Sequence, residues 1–481
     1  MQQARLLPPL WLTLPIMLGI LFVAGCSRGK EENHSGSPVD LAALAPTPPL
    51  GWNSFDAYDW RVNEEEIKAN ADFMAANLLE HGFEYVVVDF LWHIVDSVGY
   101  KPIAERPIRP RKLAYDEQGN LLDPIAMDAF GRVMPDTVRF PSAAGGKGFK
   151  PLADYVHSKG LKFGIHIMRG IPRKAVKDGL PVKGTQYTAT EIGEPWDMSI
   201  WENSMFGVNY EAPGAQEYYD SLVELYASWG VDFIKADDMM YPEFHLEEIK
   251  MLRKAIENIG YPMVLSLSLG EPQFFHAETL ARSANMWRIS DDFWDEWDHI
   301  LRQFDLLNFW ANYSKPGTWP DADMLPIGHI SLHNHRGPDR MSRLTWPEHY
   351  SLLSLWSIGR SPLMIGGDLP TSPDSTISFL TNDEVLYVNQ HSENGHRVYK
   401  GWADNTLIWL ADDTNSKDRF FAMFNVGEQT QEITFNFELE HLRGNYQVRD
   451  LWSHEDVGEF KGSFSATLPP HGAGLYRMST R

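Results

Sequence analysis

Eight short apolar runs, each about the length of one buried strand, recur between Leu50 and Asp368, with helix-patterned stretches separating most of them. The runs are Leu50 to Phe55, Tyr85 to Trp92, Lys162 to Met168, Asp232 to Asp238, Met263 to Gly270, Asn285 to Asp292, Asp323 to Gly328 and Ser361 to Asp368. Helical patterns cover Glu64 to His81, Leu152 to Lys159, Ala215 to Gly230 and Leu246 to Ile259. This alternation specifies an α/β domain with a parallel sheet. Eight such units fit a (β/α)8 TIM barrel, whose reactive groups gather where strands end. Asp89, His166, Asp237, Asp292 and Asp368 all fall at or near the C-terminal end of a run.

Two of the runs end in carboxylates beside a fixed cation: Asp232-Phe233-Ile234-Lys235-Ala236-Asp237-Asp238 and Trp287-Arg288-Ile289-Ser290-Asp291-Asp292-Phe293-Trp294. Either one alone equally describes a solvated Asp pair capping a helix after a strand. Together they suit cleavage of a glycosidic bond, in which one carboxylate attacks and a second, kept protonated, donates to the leaving oxygen. The connections 93–151 and 169–214 are long and proline-bearing, and long loops inside a compact domain usually carry function. They are expected to form the rim of the cleft.

At 481 residues the chain exceeds one ordinary core, so a large domain plus a smaller one is expected. A net charge of −23 argues against nucleic acid or an anionic membrane surface as partner, since both require a basic face. The 17 tryptophans suit a large core and also suit carbohydrate, whose flat apolar face packs on aromatic rings.

The first 25 residues read as an export signal: Arg5, then an almost wholly apolar stretch from Leu10 to Val23. Val23-Ala24-Gly25-Cys26 looks like a bacterial lipobox, in which Cys26 carries lipid and becomes the mature N-terminus. Cys26 is the only cysteine in the sequence, so the expected exported protein has no disulfide. Expected localisation is the bacterial cell envelope, with membrane attachment only through that lipid. Residues 26–45 read as a tether and 46–392 as the barrel. From 393 to 481, alternating segments broken by Gly, Asn and Asp read as an antiparallel β-sandwich.

Several ordered motifs resemble the α-galactosidases of glycoside hydrolase family 27. They are Pro49-Leu50-Gly51-Trp52-Asn53-Ser54, the stretch Leu152 to Ile165, Trp229 to Asp237, Trp287 to Trp297, Trp319 to Leu325, Leu344-Thr345-Trp346 and Ser361-Pro362-Leu363. The resemblance implies a retaining exo-acting enzyme that releases terminal α-linked galactose, with Asp237 as nucleophile, Asp292 as acid/base and no cofactor. Asp238 and Asp291 are the rival assignments for those two roles. Lys235 is expected to hold Asp237 ionised. Asp291, Asp295, Phe293 and Trp294 are expected to keep Asp292 protonated. Arg288 is expected to grip ring hydroxyls.

Trp52 corresponds to the family's ring-stacking tryptophan, its bland alternative being a core residue of strand one. Asp89 corresponds to the first of two adjacent carboxylates that hold the galactose O4 and O6. The second is replaced here by Phe90. His166 stands where the family usually has Tyr. The residue facing the sugar 2-position is Ser268 if the strand is aligned and Glu271 if the following proline is, and Ser is the pattern of the family's N-acetylgalactosaminidases. These departures keep α-N-acetylgalactosaminidase, β-L-arabinopyranosidase and an α-glucan-cleaving relative open. Two other classes remain: a sugar-binding lipoprotein without catalysis, which the presence of both carboxylates disfavours, and a metal-dependent hydrolase. His329, His333 and His335 are the nearest approach to a ligand cluster, and no metal is expected. Oligomeric state is not legible.

Overall fold

The computed structural model describes residues 40–95, 125–202, 204–334, 336–401 and 403–480. Cys26, the export segment, most of the tether and His335 lie outside the described residues. Eight parallel strands form one sheet: β1 Leu50–Asn53, β2 Tyr85–Val88, β3 Lys162–Met168, β4 Phe233–Asp237, β5 Val264–Leu267, β6 Met286–Arg288, β7 Trp319–Asp321 and β8 Leu363–Ile365. Their order is β7-β6-β5-β4-β3-β2-β1-β8, and a parallel bridge between Leu325 and Ile365 joins the two edges into a barrel. Seven runs fall where the apolar pattern put them. The seventh does not: the strand is Trp319–Asp321, a few residues before the expected Asp323 to Gly328. Pro320, which cannot donate to a ladder, sits inside it opposite Trp287, and Asp323 ends the extended chain at φ +86°.

Strand packing accounts for the local sequence. Any side chain at Gly51 would collide with the Tyr85 carbonyl, so only glycine lets β1 lie against β2. The helix Glu64–Asn77 starts on a reciprocal cap between Asn63 and Glu66, and Leu246–Ile259 forms over the span its periodicity marks.

The C-terminal strands are β9 Ser392–Gly401, β10 Thr406–Asp413, β11 Arg419–Asn425, β12 Gln431–Asn436, β13 Asn445–Asp450, β14 Glu455–Lys461, β15 Ser463–Leu468 and β16 Ala473–Thr480. They form a six-stranded sheet, β9-β10-β11-β16-β13-β14, and the pair β12-β15, all antiparallel. Alternation decides which way each residue faces. Ile408, Leu410, Phe421 and Met423 face β12 and β15, while Leu407, Trp409, Phe420, Ala422 and Phe424 join the barrel's core. Phe424 meets Phe304 of the helix Trp297–Trp310 edge-on, with centroids 4.8 Å apart. The six-stranded sheet is therefore apolar on both faces and covers one flank of the barrel.

Candidate active site

At the C-terminal end of the barrel a cavity of about 270 Å³ is lined by Phe55, Asp59, Trp60, Asp89, Phe90, His166, Trp201, Lys235, Asp237, Ser268, Leu269, Asp292, Trp294 and Arg336. That is slightly below the range of about 300–1,000 Å³ typical of small-molecule pockets, a size suited to one sugar ring. Six of the nine pocket residues expected from sequence line it: Asp89, His166, Lys235, Asp237, Ser268 and Asp292.

Asp89 leaves the end of β2 and is 2% exposed. It accepts hydrogen bonds from Asn53 Nδ2 at 2.6 Å and Lys235 Nζ at 2.9 Å. Burial pushes its carboxyl up, but the charges of Lys235 and His166 and the donated hydrogen bonds outweigh this and hold it well below the usual carboxylate range. The same pairing raises Lys235 against the opposing effect of burial. Lys235 is thus the partner of Asp89, and no ion pair joins it to Asp237 among the described residues, contrary to the expectation from their spacing.

Asp237 is contacted by other groups. Its Oδ2 accepts from the indole N–H of Trp201 at 3.2 Å and lies 3.4 Å from His166 Nε2, while Oδ1 accepts from the Asp238 amide at 2.8 Å. Trp201 comes from the long connection after β3, so that loop does reach the cavity. The rival Asp238 turns away at φ +63° to a buried ion pair with Arg169, 2.9 Å. Arg169 also holds Asp197 and Glu248. With His245 these two acids are close enough to share a metal ion, but the Arg169 guanidinium already occupies the space between the acids.

Asp292 projects from the segment after β6 with its side chain 44% exposed, 3.5 Å from Arg288 Nη2. Arg288 itself is 1% exposed, does not line the cavity, and binds Asp323 at 2.6 Å. Its main partner is thus a buried carboxylate behind the wall, and Asp292 is the lining residue it approaches. Burial pushes Asp323 up to about 6 even though Arg288 pulls it down. Asp295, expected to act on Asp292, is instead fully buried beneath Arg340 (2.7 Å) and Arg343 (3.0 Å). The rival acid Asp291 is exposed and outside the lining.

Two further expectations fail. Trp52 is fully buried with its indole N–H donating to Gly367 O at 2.8 Å, a core residue of β1. The aromatic that β1 delivers to the cavity is Phe55, beyond the strand end, where it meets Phe90 edge-on at 6.0 Å. Glu271 is ion-paired with Arg302 outside the cavity, which leaves Ser268 as the strand-five residue on its wall. His329 and His333 do not come together: the first bonds Thr371 and Asp339, the second Tyr58 and Glu66. Asp368 is likewise structural, held by Tyr58, Asn70 and Thr371. The sequence reading missed Phe55, Asp59, Trp60, Trp201 and Arg336 as lining residues. Only Phe55 had a visible signal, as the next aromatic after Trp52 beyond a four-residue strand.

Residues 197–391 match the α-galactosidase A family and residues 403–478 match the α-galactosidase C-terminal β-sandwich domain. A crystal structure of a GH27 β-L-arabinopyranosidase from Geobacillus stearothermophilus is 43% identical, covers 91% of this chain and 98% of its own, and superposes with a TM-score of 0.84. The chain belongs to glycoside hydrolase family 27. Among other family relatives, α-galactosidase of Oryza sativa subsp. japonica is 28% identical over 91% of this chain and 85% of its own. α-Galactosidase A of Cellvibrio japonicus is 26% identical over 91% and 93%. The protein is a glycosidase, and its β-sandwich is the family's C-terminal domain.

Proposed function

We propose that the protein is a retaining, exo-acting glycosidase for a terminal pyranose of galactose configuration, and that it prefers β-L-arabinopyranosides to α-galactosides. The two sugars share ring configuration and differ in the hydroxymethyl group at C5. Asp89 supplies one carboxylate to the closed end of the cavity, and the next residue, Phe90, supplies only an apolar ring, packed against Phe55 and His166. A hydroxymethyl group beside that ring loses a hydrogen bond to water and gains none, whereas a ring CH2 loses nothing. This apolar wall is the observation that carries the preference, and the likeness to the arabinopyranosidase supports it.

In the proposed reaction the Asp237 carboxylate attacks the anomeric carbon as the glycosidic C–O bond breaks, and Asp292 gives its proton to the departing oxygen. Water then attacks the glycosyl ester, Asp292 takes the water's proton, and Asp237 is released as carboxylate. Trp201 and His166 position the attacking carboxylate. Asp89 and Lys235 bind hydroxyls, and Ser268 borders the substrate. No cofactor takes part.

The test is kcat/KM on nitrophenyl β-L-arabinopyranoside, α-galactoside, α-N-acetylgalactosaminide and α-glucoside. Fastest turnover of the arabinopyranoside supports the reading, and a faster α-galactoside removes the preference while keeping the reaction. Ser268 is the one feature that favours the N-acetylgalactosaminide, whose leading would replace this reading. We further propose attachment to the cell envelope through lipid on Cys26. Palmitate labelling should be lost on Cys26→Ala, and label that persists would contradict it.

A further inference from the structure

Asp59 stands in the cavity wall, on a different strand–helix connection from every carboxylate discussed so far. It follows the short helix Phe55–Tyr58 in a left-handed backbone conformation, φ +56°, which a non-glycine residue adopts only when its surroundings impose it. The residue is 8% exposed and lines the cavity together with Trp60, Asp89 and Phe90. Its carboxyl takes a backbone hydrogen bond from Trp60, and among the described residues no side chain hydrogen-bonds or ion-pairs with it. A carboxylate offers about four acceptor positions, so most of its capacity is left for whatever fills the cavity. Three other buried acids near it each hold a side-chain cation: Asp89 pairs with Lys235, Asp238 with Arg169 and Asp323 with Arg288.

We propose that Asp59 is a substrate-binding residue that hydrogen-bonds one hydroxyl of the terminal sugar. It supplies a carboxyl from the first strand–helix connection for a ring hydroxyl, separate from the apolar Phe90 wall at the end of β2. The closed end of the cavity then pairs Asp89 with Asp59 across a gap, in place of two neighbours on one strand. This inference rests on the glycosidase reading above, with Asp237 as nucleophile, and concerns recognition only.

The experiment compares wild type, Asp59→Ala and Asp59→Asn on the nitrophenyl β-L-arabinopyranoside and α-galactoside and on monodeoxy analogues of each. Asp59→Ala should lower kcat/KM on the parent sugars by about 10- to 100-fold, the loss expected when a buried site built for a hydroxyl is broken. Asp59→Asn, nearly the same shape, should lose less and keeps the test valid if the alanine variant does not fold. For one deoxy position the penalty should vanish, because wild type has nothing to bind there either. Equal penalties at every deoxy position would assign Asp59 a structural role, and unchanged kcat/KM in both variants would overturn the proposal. A 2-fluoro glycosyl fluoride should still label Asp237 in the Asp59 variants. Absence of label in wild type as well would mean that the nucleophile assignment had failed, not this one.

Discussion

Lys235 donates to Asp89, at the end of the next strand but one, 2.9 Å away, and not to Asp237 two residues further along its own strand. The side chains of the pair are 12% and 2% exposed, so it is a buried ion pair whose members were both withdrawn from water. Removing one member strands the other. Lys235→Met is therefore expected to cost about 3–5 kcal/mol of stability, read as a lowered urea midpoint. The double variant with Asp89→Asn should cost less than the two single changes summed. Strict additivity would mean that the two groups are not coupled.

Asp292 is more solvent-accessible than Asp237, as the proposed acid/base, which must exchange protons with water in each half-reaction, should be. Asp292→Asn should reduce kcat by about 10²- to 10⁴-fold on substrates with basic leaving groups. On a dinitrophenyl glycoside, whose leaving group needs no proton, the first step should be nearly unaffected. A leaving-group series that shows equal losses throughout would contradict the acid role.

The indole of Trp201 is the one side chain that donates a hydrogen bond to Asp237 among the described residues, with His166 Nε2 3.4 Å from the same oxygen. Trp201→Phe keeps the ring and deletes that donor. A hydrogen bond to a charged group contributes about 1.5–3 kcal/mol, so kcat should fall by at least about tenfold, with KM changed far less. Steady-state kinetics distinguish this from a general loosening of the loop, which would raise KM.

Burial pushes the Asp59 carboxyl up to about 7, opposed by the Trp60 amide, Arg61 and His333 and reinforced by Asp89. In the unfolded chain the same group titrates near about 3.9. Between those values the folded protein holds a proton that the unfolded chain has released, so the stability it confers is complete below about pH 4 and is lost as the pH rises through about 7. Asp59→Asn should flatten the decline of unfolding free energy between about pH 4 and 7, measured by urea titration. An unchanged slope would contradict the assignment.

The barrel was legible because each strand is a buried apolar run and each helix carries its own periodicity. The exception was β7, where Pro320 interrupts the pattern within the strand. The ends of strands also exposed most of the site, since Asp89, His166, Lys235, Asp237 and Asp292 sit where parallel barrels present their chemistry. Pairings across the cavity were less accessible. Lys235 and Asp237 are neighbours in sequence, yet the lysine reaches Asp89, and Arg288 turns to Asp323 behind the wall. Phe55, Asp59 and Trp201 come from connections without periodicity, and only the folded backbone decides that they, and not Trp52, line the cavity.

The central claim is that Asp237 forms a covalent bond to the sugar. A 2-deoxy-2-fluoro glycosyl fluoride of the preferred sugar slows release of such an ester, so brief treatment followed by peptide mass spectrometry reads the attacking residue directly. The expected result is one fluorosugar per chain, attached to Asp237 and absent in Asp237→Asn. Label on Asp238 or elsewhere, or a first-formed product of inverted anomeric configuration with no label at all, would contradict the account.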